Sequence, residues 1–279
     1  MRQIPVTEIT AAVKRLAMQA NTELGEDVLR VLKSAIEREE SPLGKDILLH
    51  LLQNAQIAAK DGVPLCQDTG MAVVFVEIGQ NVAVTGGSLR AAIDEGVRQG
   101  YRDGYLRGSL KDLFTGENTG DNTPAIVHFD IVEGDRLRIA FMAKGGGSEN
   151  MSRVTSLTPA EGVDGIRRYV VQRVREAGGN PCPPTIVGVG IGGTQELAAL
   201  LAKKAMLRPL GSPNPDSRLA QLERDLLEDI NKLGIGPQGL GGRVTSLAVH
   251  VLAAPHHIAS IPVAVNLQCH SLRHKEVVL

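Results

Sequence analysis

Apolar residues recur at helical spacing through the first sixty positions. Ile9, Val13, Leu16 and Ala20 form one stripe, and Leu24, Val28, Leu32 and Ala35 a second. Ser41-Pro42 places a capping residue before proline at a first helical position. The stripe Leu43, Ile47, Leu48, Leu51 and Leu52 follows, and Asp61-Gly62 ends it. The pattern then changes. Met71 to Ile78 is a short continuous apolar run, which reads as a buried strand. Ser88 opens another helix, to about Val97. Ile126 to Val132 and Leu137 to Met142 read as two strands joined by Glu133-Gly134-Asp135, a predicted hairpin.

Thr158-Pro159-Ala160-Glu161 combines a capping box with proline at the first position, a helix start that Gly178-Gly179 later stops. Thr185 to Val189 reads as a strand, Gln195 to Met206 as a helix and Ser217 to Leu233 as a charged amphipathic helix. Val244 to Leu252 and Ile261 to Val265 are strand-like. The order helix-helix-helix-strand does not alternate as a doubly wound fold does. The expectation is one mixed α/β domain over residues 1–279, rich in helix, with a helical region over about 1–62. Its helices pack around a modest mixed or antiparallel sheet.

Composition narrows the function classes. The chain has 279 residues, 43% of them hydrophobic, enough for a substantial core. Thirty basic and 31 acidic side chains nearly cancel, so no field of one sign favours nucleic acid or an anionic membrane. Aromatics are only 3%, which removes the stacking surface of a single-strand binder. There is no apolar run of signal-peptide length at the start, and no window approaches the ~18 apolar residues of a membrane span. A cytoplasmic protein is expected.

The 31 glycines cluster at Gly86-Gly87, Gly145 to Gly147, Gly188 to Gly193 and Gly234 to Gly242. Such clusters mark turns or places where backbone approaches something closely. Gly188-Val189-Gly190-Ile191-Gly192-Gly193 matches the dinucleotide pattern in form. The second strand and acidic residue that pattern needs about 20 positions on are missing, since Arg208 to Pro213 reads as a loop. A helix N-terminus meeting a small anion, or a tight turn, is the expected role.

Cys66, Cys182 and Cys269 each sit beside Pro, Gly or amide residues at predicted element ends. A packing cysteine is more often embedded in an apolar element. No CxxC pair exists, and an odd count without an export signal does not suggest a disulfide framework. Three readings stay open: unrelated buried thiols, three ligands of a four-iron cluster whose fourth iron is open, or zinc. Zinc draws on His250, His256, His257, His270 and His274 near Cys269, although these fit no paired ligand spacing.

Taken together, several loops resemble the α part of the class I fumarase family of iron–sulfur hydro-lyases. They are Leu65-Cys66-Gln67-Asp68-Thr69-Gly70, Asn122-Thr123-Pro124-Ala125 and Lys144-Gly145-Gly146-Gly147-Ser148-Glu149-Asn150. Further on come Pro181-Cys182-Pro183-Pro184-Thr185, Gly188 to Thr194, Leu233 to Gly239 and Cys269-His270. The resemblance implies a [4Fe-4S] cluster on Cys66, Cys182 and Cys269, its open iron acting as a Lewis acid. It implies Gln67 and Asp68 as pocket residues, Arg107 as a clamp on a substrate carboxylate and Gly146 as a backbone donor. His257, twelve residues before the last cysteine, resembles the family's pocket histidine, with His256 its neighbour. Single-chain members continue into a second domain, so a separate β subunit is expected to complete the site, in an assembly homodimeric through the α subunit. The expected substrate is a small dicarboxylate. Fumarate is preferred over L-tartrate, because tartrate dehydratase α subunits carry a cysteine after the triple glycine and this chain has Gly147-Ser148-Glu149-Asn150. Readings of another class are a zinc-binding hydrolase and a non-catalytic scaffold.

Overall fold

The computed structural model describes residues 1–279. The strand β1 (Arg2–Pro5) leads into the helices α1 (Val6–Thr22), α2 (Glu26–Arg38) and α3 (Pro42–Asp61). The strands β2 (Met71–Gly79) and β3 (Val82–Thr85) precede α4 (Leu89–Asp103). After a long loop come β4 (Ile126–Val132), β5 (Leu137–Lys144), the one-turn α5 (Gly146–Glu149) and β6 (Arg153–Leu157). Then follow α6 (Gly162–Ala177), β7 (Thr185–Gly193), α7 (Gln195–Ala205) and α8 (Ser217–Asn231). The last strands are β8 (Ser246–His256), β9 (Ile261–Gln268) and β10 (His274–Val278). The protein is mixed α/β and rich in helix, as its patterning predicts, and none of its helices is long and apolar enough to cross a membrane.

Contacts divide the chain into two compact units. The first is Met1–Gly25, Asn54–Gly146 and Arg273–Leu279; the second is Glu26–Gln53 and Gly147–Leu272. The division falls within α3, so neither unit is a contiguous stretch of chain.

In the first unit a four-stranded sheet has the order β10-β5-β2-β4, and β1 pairs with β3 separately. Helices α1 and α4 pack together over one face. Ile9, Val13 and Leu16 of α1 meet Ile93 and Val97 of α4, with Val74 and Val76 of β2 and Ile139 and Phe141 of β5 beneath. The expected hairpin of β4 with β5 does not form. Both strands exist, but β2 lies between them, parallel to β4 and antiparallel to β5. The physical reason is burial. β2 is almost wholly apolar and takes a central position, whereas β4 exposes Phe129 and Ile131 at the edge. The Glu133–Arg136 turn arches over the end of β2 instead of closing a hairpin. There the Gly79 N–H donates to Arg136 O, and the Asn81 N–H to Gly134 O.

In the second unit the sheet order is β6-β9-β7-β8, with β7 and β8 parallel and β9 antiparallel to its neighbours β6 and β7. One face carries Val187, Val189 and Ile191 of β7 under Ile166 and Val170 of α6 and Leu222 and Leu226 of α8. The Thr158–Glu161 capping box is present and leads through one 3-10 turn into α6. The opposite face is covered by α7, and this explains the glycine run. A Cβ on Gly188 would stand 2.0 Å from Ala202 O, and one on Gly190 1.9 Å from Ala198 O. Gly188 to Gly193 therefore belongs to a buried strand over which a helix backbone passes closely. The close approach expected of the glycine cluster is thus to the α7 backbone, and Gly192 and Gly193, at positive φ, end the strand just before the Thr194 cap of α7.

Glu39, 1% exposed, closes the α2–α3 corner of this unit. Its carboxylate accepts from the backbone N–H groups of Glu40, Ser41, Arg243 and Val244 at 2.8–2.9 Å. Burial alone raises its pKa, but these four donors outweigh that and hold it below the ordinary 4.5. A depressed carboxylate contributes stability above its ordinary range and loses it as pH falls through the folded-state value. Glu39→Ala is expected to cost roughly 3 kcal/mol, because it removes the acceptor of four backbone donors, that of Val244 buried and the others partly so. Urea titrations at pH 7 and pH 4 check this. A mutant as stable as the parent at pH 7, or a penalty that grows at pH 4, would contradict it.

Candidate functional site

The first unit holds the Leu65–Gly70 loop, which joins α3 to β2. Cys66 is a free, half-buried thiol whose Sγ lies 3.2 Å from Gln67 Oε1. Asp68 is held by both carboxylate oxygens: Oδ1 accepts from Gly70 N–H at 3.0 Å and Oδ2 from Gly146 N–H at 2.8 Å. The Gly146 backbone donor, expected to face a substrate, is thus given to Asp68. The Arg107 carbonyl accepts from Thr69 Oγ1 at 2.9 Å, while its guanidinium is exposed and makes no hydrogen bond or ion pair. Asn122, fully buried at φ +58°, ties the two loops together. Its Nδ2 donates to Gly70 O and its Oδ1 accepts from Ser109 N–H. Gln67, Asp68, Gly146 and Arg107 therefore belong to one cluster of loops.

The second unit brings Cys182 and Cys269 together. Cys182 is exposed, sits at φ +55° and precedes the cis Pro183–Pro184 bond. Cys269 is half-buried and follows the last residue of β9. The link between them is His270, whose N–H donates to Cys182 O at 3.4 Å and whose Nδ1 lies 3.1 Å from the same oxygen. Sequence reasoning missed the buttress beside them. Gln238, at φ +54° in the Gly234–Gly242 loop, donates its backbone N–H and its Nε2 to Pro183 O, and Nε2 reaches His270 Nδ1 at 3.3 Å. Its signals were its place inside a glycine-rich segment and inside the family-like stretch Leu233 to Gly239, neither of which singles out its side chain. Glu149 bonds to Lys203 Nζ at 2.7 Å and Asn266 Nδ2 at 3.2 Å, and Ser148 Oγ donates to Gln268, the neighbour of Cys269.

His257 stands elsewhere. It occupies the exposed β8–β9 turn, where its Nδ1 accepts from Ala259 N–H at 3.2 Å. Cys269 lies at the other end of the eight-residue β9, roughly 25 Å along the strand. The other histidines are scattered too. His250 is buried within β8, and burial, aided by the nearby Arg208 charge, lowers its pKa to about 4, so it is neutral. Within each unit no three His, Cys, Asp or Glu side chains form a metal-holding group.

The chain is thus a mixed α/β protein whose chemistry-bearing residues sit on loops at strand ends, three free thiols among them. It belongs to the fumarate hydratase (Fumerase) family, a family of hydro-lyases, whose model matches residues 10–278. A Methanocaldococcus jannaschii protein named "Putative L(+)-tartrate dehydratase subunit alpha" is 41% identical over 268 residues, 94% of either chain. The L(+)-tartrate dehydratase subunit alpha of Escherichia coli K12 is 35% identical over 271 residues, 96% of this chain and 89% of that one. The Shigella sonnei protein of the same name shows the same identity and coverage.

Proposed function

We propose that this chain is the α subunit of a two-subunit, cytoplasmic iron–sulfur hydro-lyase that dehydrates L-tartrate. The observation that carries the substrate is the likeness, over nearly the whole chain, to proteins named as L(+)-tartrate dehydratase α subunits. These relatives favour tartrate over the fumarate expected from the sequence. Fumarate stays as the second reading for one reason. The Gly147-Ser148-Glu149-Asn150 segment lacks a cysteine and carries Glu149, held by Lys203 and Asn266.

The donor set suits a [4Fe-4S] cluster. All three cysteines are free, each sits on a loop, and Cys182 and Cys269 are backbone neighbours. Cys66, Cys182 and Cys269 would hold it, and when bound it would supply a Lewis acid for departure of the substrate hydroxyl. The rest falls to protein groups. Dehydration removes a hydroxyl from one carbon and a proton from the next, leaving an enol that tautomerises to a keto acid. The exposed Arg107 guanidinium would bind one substrate carboxylate in bidentate fashion. Asp68, aligned by two backbone donors, would present its carboxylate beside the cysteine loop, and Gln67 would donate an amide N–H. His257 lies a strand's length from Cys269, so it would enter the site of a second α chain in a homodimer. The β subunit would supply the remaining carboxylate ligands and the base.

The test is co-expression with the β subunit, anaerobic cluster reconstitution, and assays with L-tartrate, fumarate and L-malate. A site built around a second hydroxyl should favour L-tartrate over L-malate by at least about tenfold in kcat/KM. A preference for L-malate and fumarate would transfer the assignment to the second reading. A reconstituted complex active on none of these substrates would overturn both.

A further inference from the structure

We infer that Tyr101 and Arg273 are positioning residues: a buried clamp on the backbone of Asp68, Thr69 and Gly70 that sets the conformation of the Cys66–Gln67 tip. The Tyr101 hydroxyl reaches Thr69 O at 2.9 Å and Gly70 O at 3.0 Å. Arg273 Nη1 donates to Asp68 O and, at 3.3 Å, to Asn21 Oδ1. Three consecutive carbonyls of one loop are therefore met by two side chains that are 2% and 1% exposed, the single Tyr101 proton being shared between Thr69 O and Gly70 O, the latter also bonded by Asn122.

Both groups are expensive to bury, which is why their aim is informative. A guanidinium taken from water needs partners for its donors, yet Arg273 Nε is buried and has none. Burial likewise pushes the Tyr101 phenol well above its usual range, so it stays a neutral donor. Neither polar head is spent on the hydrophobic core, although the Tyr101 ring packs in it. The Arg273 charge also faces the Asp68 carboxylate across Gly145. A Cβ at Gly145 would stand 3.2 Å from Arg273 Nη2 and 3.1 Å from Asp68 Oδ2, so a side chain there would crowd both groups.

The pattern of pins along the loop shows what is left free. Leu65 N–H donates to Asn21 O at 2.8 Å, and Leu65 O accepts from Asn54 Nδ2 at 3.0 Å. Asp68, Thr69 and Gly70 are held as described. Cys66 and Gln67, between these two anchored ends, make no backbone hydrogen bond. The tip is thus a two-residue span whose shape follows from its anchors; in the downstream anchor Tyr101 and Arg273 act on the backbone carbonyls beside the bonds from Asn122, Gly146 and the Arg107 carbonyl. Asn21, itself buried and bonded to Ala17 O, joins both anchors through its own backbone and side chain.

That the tip is catalytic rests on the proposed function; that the clamp sets its shape does not. The experiment therefore reads the tip directly. The cluster-free full-length chain is treated with iodoacetamide, and alkylation of Cys66, Cys182 and Cys269 is followed separately by peptide mass spectrometry. Tyr101→Phe removes one oxygen and keeps the ring, and Arg273→Lys keeps the charge with fewer donors. Each variant is expected to change the Cys66 rate by about tenfold, the equivalent of one lost hydrogen bond holding the tip, while Cys182 and Cys269 react as in the parent. Arg273→Met should shift Cys66 further than Arg273→Lys. If all three cysteines change together, the residues act on global stability alone and the inference falls. If Cys66 is unaffected by Tyr101→Phe, it falls as well. Failure of the proposed function would instead appear as absent hydro-lyase activity in a reconstituted parent complex, with these alkylation rates unchanged.

Discussion

On the proposed function, Cys182→Ser is expected to lower the activity of the complex with a β subunit by on the order of 10³-fold or more, and to remove the brown colour that a bound cluster would give, because a serine oxygen is a poor replacement for a cluster thiolate. Cys182 offers the cleanest test of the three. It is exposed, lies in a loop and is not a member of the hydrophobic clusters, so its replacement leaves the core residues in place. The cluster-free variant should therefore melt like the parent. Cys66→Ser and Cys269→Ser should match it in activity and in iron content. The same reading predicts oxygen sensitivity: an iron without a protein thiolate is lost first on oxidation. Activity should fall in air, return with ferrous iron and reductant under argon, and be protected by saturating substrate. A zinc enzyme shows no such pattern, and an oxidised thiol nucleophile is not rescued by iron. Measurements are iron and sulfide per chain, the visible spectrum and turnover under argon. A Cys182→Ser complex with full iron and full turnover would end the cluster assignment.

Gly190→Val is expected to unfold the protein or to cost more than about 4 kcal/mol, a large part of the 5–15 kcal/mol that domains usually possess. The reason is spatial. Gly190 lies in the middle of β7, and the nearest atom to any Cβ there is a backbone oxygen of α7, at 1.9 Å. A flexible side chain could move aside, but a helix backbone moves only as a unit. α7 would have to lift from the sheet and separate Ala198 and Ala202 from Ala264. Gly190→Ala should already lower the urea midpoint. An unchanged midpoint would mean that α7 does not pack against β7 as described.

Much of the secondary structure was legible in the chain. The helix stripes near the N-terminus, the Thr158–Glu161 capping box and the apolar run of β2 are local signals, and local forces suffice to read them. Short strands were not legible. β1, β3, β6 and β10 are four or five residues long, with little alternation, and exist because a neighbour's edge accepts their backbone. The β4–β5 hairpin failed for a related reason. A polar turn between two apolar strands reports that the chain reverses, but not whether a third strand enters the gap.

For the site, residue types and their loop settings came from sequence, and their grouping came from structure. Cys66, Cys182 and Cys269 stand out in the chain because each breaks an apolar pattern beside Pro or amide residues. Family resemblance singled out Gln67, Asp68 and Arg107 as well. Nothing in the chain marks Tyr101 or Arg273, and only a glycine-rich, family-like segment surrounds Gln238, since a single polar residue carries no periodicity. Their roles depend on carbonyls 32, 205 and 55 positions away. The glycines of β7 show the same division. Sequence determined that backbone would come close to something there, because only glycine leaves that space. Only the tertiary structure decided that the something is the α7 backbone, because which atoms approach a given Cα depends on contacts far apart in the chain.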